Sequence, residues 1–304
     1  MECEASHFAH GKLMLMGEFF VLRGATCISA PSIYGQSLKV TSNPGSQLLK
    51  WQTYIQGKHW FTADYGLDDF EVTDCSDRFL AESFARLLRI ARELNPSFLL
   101  EGACGETNLT FPQCWGLGSS STITKLLSDW AGVNPFDIHF ATSNGSGYDI
   151  ASAMSNKPIV YKCIDEKPEY YEVELPEVVK SCCYFIYLGK KQSSQKSVKL
   201  FLQKGQQELP VERINQMNEE FLRSTSVDDV SKLMREHDLI LSPILDLKRV
   251  KEVAFNSFEG EVKSLGAWGG DFVMACTEHD RDYVERYFTK MGLDTIFSYN
   301  DLLL

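Results

Sequence analysis

The sequence predicts an α+β protein with two domains, on the basis of its length, its composition and the order of its apolar patterns. The 304 residues are enough for two ordinary domains, each with its own core. Hydrophobic residues make up 44% and charged residues 23% of the chain, the balance of a globular protein. Strand-like runs alternate with pairs of helical patterns, which favours an α+β sandwich in each half. We place the boundary at residue 165, giving domains 1–165 and 166–304.

Short apolar or alternating runs predict the strands of the first half. Residues 12–16 and 19–22 are apolar runs separated by Gly17 and Glu18, and they predict two strands around a turn. Further alternation predicts antiparallel strands at residues 37–41, 52–55 and 59–63.

Two helices are predicted from periodicity and capping signals in the first half. Over residues 76–94 the apolar residues recur at helical spacing, with Ser76 or Asp77 as the N-cap. Asn95 and Pro96 end this helix. A second, shorter helix is predicted at residues 135–142.

The second half continues with mixed patterns. Two strands, 158–163 and 182–188, are joined by a polar, acidic segment at residues 165–177. The patterns then predict helices at 198–204, 211–222 and 227–239, strands at 261–265 and 272–276, and a helix at 280–290.

The stretch from Pro112 to Ser121 carries the strongest chemical signal. Its glycines, Gly116 and Gly118, allow the backbone to come close to a ligand, and three serines precede an apolar, helical run at residues 123–130. The first N–H groups of such a helix and the positive end of its dipole would face an anion. The serines can cap the helix, and one hydroxyl can serve a magnesium ion. An ordinary turn with an N-cap is the alternative for this loop alone.

Composition argues against several classes of protein. The net charge is −11, and no run of Lys or Arg provides the clustered cations that nucleic acid requires. The nine cysteines form no C-x-x-C pair, so free thiols in a reducing cytosol are expected. The N-terminus lacks a basic segment followed by an apolar core, and no apolar run reaches the ~20 residues of a membrane span. We therefore expect a cytoplasmic protein without a membrane segment.

Three more motifs complete an ordered set. Lys12 lies in the first N-terminal run and Glu18 in the turn after it, Asp149 stands in a glycine-flanked turn, and a second glycine loop spans residues 263–271. Together with the loop at 112–121, this order resembles the GHMP kinases, the superfamily of galactokinase and of homoserine, mevalonate and phosphomevalonate kinases. The resemblance covers residues 11–275. It implies a two-domain fold with a ribosomal-protein-like N-terminal domain and a ferredoxin-like C-terminal domain.

The resemblance assigns roles residue by residue. Asp149 matches the catalytic base and Lys12 the lysine that pairs with it, while Ser120 matches a magnesium ligand. The residues implied to hold the phosphates of ATP are Pro112, Gly116, Leu117, Gly118, Ser119, Ser120, Ser121, Gly266, Gly269 and Gly270. Mevalonate kinases place a glutamate for magnesium before the aspartate, and this chain has none there. Asp137 or water is the expected substitute.

The acceptor residues are predicted from a loop that resembles the substrate loop of the family. Lys190, Ser193, Ser194 and Lys196 would pair with a carboxylate or phosphate, with Lys191 and Lys199 close by in the sequence. A solvated basic helix start is the alternative. Glu18 and Trp268 complete the predicted acceptor site, although Trp268, where a glycine is usual, can equally serve packing.

The prediction for function is an ATP- and magnesium-dependent kinase of a small anionic acceptor. Phe19 stands where mevalonate kinases and galactokinases often carry histidine, which argues against the usual recognition of a sugar or of mevalonate. Residues 269–271 and the glycine-flanked turn of Asp149 resemble phosphomevalonate kinase, which favours the mevalonate pathway. Mevalonate or phosphomevalonate is therefore the expected acceptor. The alternatives are a diphosphomevalonate decarboxylase, a sugar or homoserine kinase, and a non-catalytic ligand-binding member. A homodimer is one of the oligomeric states left open.

Overall fold

A computed structural model of the chain describes residues 3–190, 198, 201–202, 210–266, 268 and 270–304. Strands β1 to β12 are Cys3–Met16, Cys27–Ser42, Leu48–Ile55, Lys58–Gly66, Val72–Cys75, Ala103–Leu109, Ile159–Ile164, Lys167–Glu172, Cys183–Tyr187, Glu261–Ser264, Phe272–Cys276 and Ile296–Ser298. Helices α1 to α10 are Arg78–Leu94, Ser119–Ala131, Pro135–Thr142, Tyr148–Met154, Glu177–Cys182, Val211–Phe221, Val227–Leu245, Val250–Val253, Arg281–Thr289 and Tyr299–Leu302. Two short 3₁₀ helices are Phe20–Arg23 and Gln113–Trp115.

The chain folds into two compact units that interleave along the sequence. The first unit comprises Met1–Gly11, Tyr34–Gln113 and Leu117–Met154. The second comprises Lys12–Ile33, Cys114–Gly116 and Ser155–Leu304. The division of the sequence at residue 165 stays a prediction.

In the first unit, helices cover a twisted sheet. Its strands run in the order β5-β4-β3-β6-β2, and β6 lies between antiparallel β2 and parallel β3. Helix α1 buries a stripe of apolar residues against the sheet, and the ring of Phe84 lies 4.3 Å from that of Trp51. Helices α1, α2 and α3 pack against one another, and α2 also packs against α4.

In the second unit, an antiparallel sheet runs in the order β10-β11-β9-β12. Its apolar core includes Ile186, Phe258, Val273 and Phe288, all buried. The hairpin of β7 and β8 lies outside this four-stranded sheet and continues the eight-stranded sheet by pairing with β2 over Cys27–Ser29. The four-stranded sheet β10-β11-β9-β12 carries the residues that reach the candidate site.

Several predicted elements are confirmed closely. The helix predicted at 76–94 is α1, and the side chain of Asp77 accepts a hydrogen bond from the Leu80 N–H as its N-cap. The helix predicted at 135–142 has these bounds in the structure. Local signals sufficed for α1 because its cap and its apolar periodicity agree.

Other predictions are wrong. Residues 19–22 do not form a strand, because left-handed backbone at Gly17 (φ +92°) and Phe19 (φ +64°) turns the chain into a 3₁₀ helix. The linker predicted at 165–177 contains strand β8, which returns along β7 through a turn with positive φ at Asp165 and Glu166. The helix predicted at 198–204 lies partly outside the described residues. The sequence patterns did not predict strands β5, β6 and β12.

None of the described helices is both long enough and apolar enough to cross a bilayer.

Candidate active site

The N-terminus of α2 is open, in the sense that no side chain caps its first N–H groups. Gly118 is the N-cap, with left-handed backbone (φ +86°) and no side-chain cap, so the prediction that a serine caps this helix is wrong. The three serines instead form the first turn. The Ser121 hydroxyl donates to the Gly118 carbonyl at 2.8 Å, whereas Ser120 is exposed and its hydroxyl has no hydrogen bond within the described residues. The unpaired N–H groups of this first turn are suited to an anion.

Three sequence motifs meet at Gly116, all within the second unit. The Lys12 ammonium donates to the Gly116 carbonyl at 3.3 Å. A Cβ atom built on Gly116 would lie 2.6 Å from Oδ2 of Asp271, and one built on Gly266 would lie 3.8 Å from the same oxygen. Because real Cβ contacts are essentially never as short as 2.6 Å, an alanine at position 116 would require the Asp271 carboxylate to shift.

Trp115 anchors this part of the loop to the second sheet. Its ring lies 5.3 Å from Phe297, 6.2 Å from Phe272 and 6.4 Å from Tyr187, between ring centroids. Burial, and then a hydrogen bond with Cys114, raise the pKa of Tyr187 to about 12. The aromatic contacts fix Gly116 relative to β9, β11 and β12.

A Gly116→Ala variant is expected to be less stable than a Gly45→Ala variant by roughly 1–3 kcal/mol, the usual cost of overpacking. Both glycines have left-handed backbone, at φ +68° and φ +85°, but no atom lies within 4 Å of a Cβ built on Gly45. The difference between the two midpoints in urea therefore isolates the contact with Asp271. Adding Asp271→Ala to Gly116→Ala should recover part of the loss. Equal destabilisation by both alanines would contradict the contact.

The two predicted carboxylates lie in the first unit, on helices beside the loop helix. Asp149 is half-buried in the first turn of α4, and its Oδ1 accepts the Ile150 N–H at 3.1 Å. Asp137 is exposed in the first turn of α3. Helices α3 and α4 both pack against α2. The base and metal roles of these residues stay predictions.

The comparisons with known proteins identify the fold. No protein-family profile and no curated protein matches the sequence. Among solved structures, the Lin0012 protein from Listeria innocua superposes with a TM-score of 0.72 at 18% identity, over 96% of each chain. Streptococcus pneumoniae phosphomevalonate kinase, in complex with phosphomevalonate and AMPPNP, gives 0.72 at 14% identity, over 96% of this chain and 99% of that one. Methanococcus jannaschii mevalonate kinase gives 0.67 at 17%, over 96% of each.

This chain has the GHMP kinase fold. The predicted two-domain α+β architecture is therefore confirmed. Identities of 14–18% support the fold and leave the substrate to be argued from the residues.

Within this GHMP kinase fold, the predicted acceptor residues are only partly described. Lys190 is exposed, and its carbonyl accepts the Asp271 N–H at 2.7 Å, so the loop begins next to the residue that adjoins Gly116. Trp268 is 5% exposed, and its indole N–H has no partner among the residues described. Pro112 is half-buried, and Leu117 and Gly270 are buried. Outside the described residues lie Lys191, Ser193, Ser194, Lys196, Lys199 and Gly269.

Glu18 lies in a buried ionic cluster that sequence reasoning missed. It is 3% exposed and forms an ion pair with Lys263, which is fully buried. Nε2 of His237 lies 3.2 Å from Oε2 of Glu18 and 3.3 Å from the Gly17 nitrogen. Burial, and then the charge of Lys263, lower the pKa of His237 to about 3, so this ring is neutral. The substrate role predicted for Glu18 stays a prediction beside this structural role.

Proposed function

We propose that this chain is an ATP-dependent kinase that transfers the γ-phosphoryl group of ATP to mevalonate or phosphomevalonate. The observation that carries the proposal is the meeting of Lys12, Gly116 and Asp271 at a loop that leads into the open N-terminus of α2. A cation, a glycine that allows close approach and unpaired N–H groups are what a polyphosphate requires. The GHMP kinase fold of the chain agrees with this chemistry.

The residues present suit ATP with magnesium. The N–H groups of the first turn of α2 would bind phosphate oxygens, and the exposed Ser120 hydroxyl is the candidate metal ligand. Asp137 is the candidate carboxylate. Magnesium, when bound, would neutralise charge that develops on the phosphates.

Lys12 and Asp149 would act on different parts of the reaction, Lys12 on the charge of the phosphoryl group and Asp149 on the acceptor. The Lys12 ammonium would stabilise negative charge at the reacting phosphoryl group. If the acceptor is a hydroxyl, its oxygen forms the new bond to phosphorus, the bond from phosphorus to the ADP oxygen breaks, and Asp149 takes the hydroxyl proton. If the acceptor is a phosphate, which is already ionic, Asp149 would orient it instead.

The acceptor site would use the loop that starts at Lys190 and the indole of Trp268. Lys190 and Lys196 supply positive charge and Ser193 and Ser194 supply hydrogen-bond donors, which suits a carboxylate or phosphate on the acceptor. Trp268 offers a buried N–H without a protein partner in the described structure, and such a donor is costly unless a ligand accepts it.

A Trp268→Phe variant is expected to raise the KM of the acceptor about tenfold, because it keeps an aromatic ring and removes the N–H. The KM of ATP should stay within twofold, since the indole is assigned to the acceptor. Steady-state kinetics with each substrate varied in turn measures both effects. A Trp115→Phe variant serves as the control for the loss of an indole that lies in an aromatic cluster. An unchanged acceptor KM in Trp268→Phe would assign the ring to packing.

The proposed activity is tested by ADP release with ATP, magnesium and a panel of acceptors. Release with mevalonate or phosphomevalonate alone is the expected result. Carbon dioxide released together with ADP from diphosphomevalonate would point to a decarboxylase, and turnover with galactose or homoserine to another branch. ATP binding without turnover on any acceptor would contradict the enzyme proposal and favour a ligand-binding protein. The cytoplasmic location and a homodimer stay predictions.

A further inference from the structure

Three cysteine thiols meet in the core of the second unit, outside the proposed kinase site. Cys182 ends α5, Cys183 begins β9, and Cys276, the last residue of β11, is the register partner of Cys183. Sγ of Cys182 lies 3.8 Å from Sγ of Cys183 and 3.3 Å from Sγ of Cys276. All three sulfur atoms lie within 4.8 Å of one another, and all three residues are buried. This trio is the one group of potential metal ligands of that size among the described residues.

The N-terminus of helix α7 lies beside the thiols. The Ser231 hydroxyl donates to Sγ of Cys276 at 3.5 Å, and that thiol contacts the Val227 carbonyl at 3.8 Å. Both residues belong to the first turns of α7, a helix of 19 residues whose positive end therefore lies at the cluster. Thiolate is the form of cysteine that binds metals.

We propose that Cys182, Cys183 and Cys276 form a binding site for one soft, thiol-seeking metal ion of the Cu(I) class. Three thiolates placed ~2.3 Å from a central ion lie roughly 4 Å apart, close to the spacing seen here. Thiolates select soft ions over Mg²⁺ and Ca²⁺, whose ligands are oxygen atoms. Three sulfur ligands, joined by no histidine or carboxylate among the described residues, suit a three-coordinate ion better than a four-coordinate structural zinc. Binding forms three metal–sulfur bonds and releases one proton from each thiol that carries one.

The test is an anaerobic titration of the reduced, full-length chain with Cu(I) in competition with a coloured Cu(I) chelator. We expect one tightly bound ion per chain. Cys276→Ser should weaken binding at least tenfold, whereas Cys163→Ser, which removes a partly buried thiol elsewhere in the same unit, should leave it unchanged. Equal binding by Cys276→Ser and the parent chain would overturn the proposal. So would the absence of any ion held against the chelator.

A second measurement needs no variant. X-ray absorption of the Cu(I)-loaded parent chain should report three sulfur neighbours and no nitrogen or oxygen. A first shell of two sulfurs, or one that includes lighter atoms, would overturn the three-thiol site. A disulfide between Cys182 and Cys276 in freshly purified protein would also overturn it, because it would assign the trio to redox chemistry.

Discussion

Asp149→Asn is expected to lower kcat by about 10²- to 10⁴-fold with the acceptor that supports turnover, the range attributed to general-base catalysis. Asparagine keeps the size of the side chain and its hydrogen bond to the Ile150 N–H, but it cannot take a proton. The affinity for an ATP analogue should stay nearly constant, because Asp149 is assigned to the acceptor oxygen. Steady-state kinetics and equilibrium binding of the analogue separate the two effects.

Asp74→Asn is the matched control, since Asp74 is an exposed aspartate of β5 in the same unit. It should keep full activity. Lys12→Met should also lower kcat by orders of magnitude with ATP affinity nearly intact, because Lys12 is assigned to charge at the reacting phosphoryl group. If Asp149→Asn retains full turnover, the base assignment is wrong. If it instead loses ATP binding, Asp149 acts in nucleotide binding rather than in proton transfer.

The success of sequence reasoning on the fold depended on how local each signal is. Helix α1 was predicted because Asp77 and the buried stripe lie within a few turns of one another. Strand β6 was not predicted, because its buried positions are filled by small or polar residues such as Gly105 and Thr107. The ring of Trp51 covers Gly105, so closely that a Cβ there would lie 2.3 Å from it. That packing depends on a strand pairing which no local pattern contains.

In the candidate site, too, residues in short local motifs were predicted and contacts between distant residues were not. Lys12, Gly116 and Gly266 were predicted as site residues because each lies in a short motif, and the structure brings these motifs together at Gly116. The partners of Glu18 were missed. Lys263 lies 245 residues from Glu18, and His237 is an ordinary helix residue in α7. No local pattern around either residue therefore indicates that it pairs with Glu18. Buried ion pairs between distant elements become visible only once the fold brings their residues into contact.

The buried pair of Glu18 and Lys263 leads to the largest expected change in stability. Lys263→Met should lower the free energy of unfolding by about 3–5 kcal/mol, because it leaves the Glu18 carboxylate buried without a cation. Burial, the first cause of the lowered pKa of His237, persists in this variant and disfavours a compensating positive charge on the ring, although the contribution of Lys263 is removed. Chemical denaturation followed by circular dichroism measures the loss.

Two comparisons separate the loss of the partner from the loss of the lysine side chain itself. Combining Lys263→Met with Glu18→Gln removes both charges and should recover a large part of the stability, because buried pairs are often replaced by neutral side chains at little cost. Lys232→Met breaks an exposed pair with Asp228 on α7 and should cost at most about 1 kcal/mol. If the double variant is no more stable than Lys263→Met alone, the lysine acts through packing. In that case the Gly17–Glu18 turn is held in place by apolar contacts such as those of Phe20 with Phe201, rather than by charge.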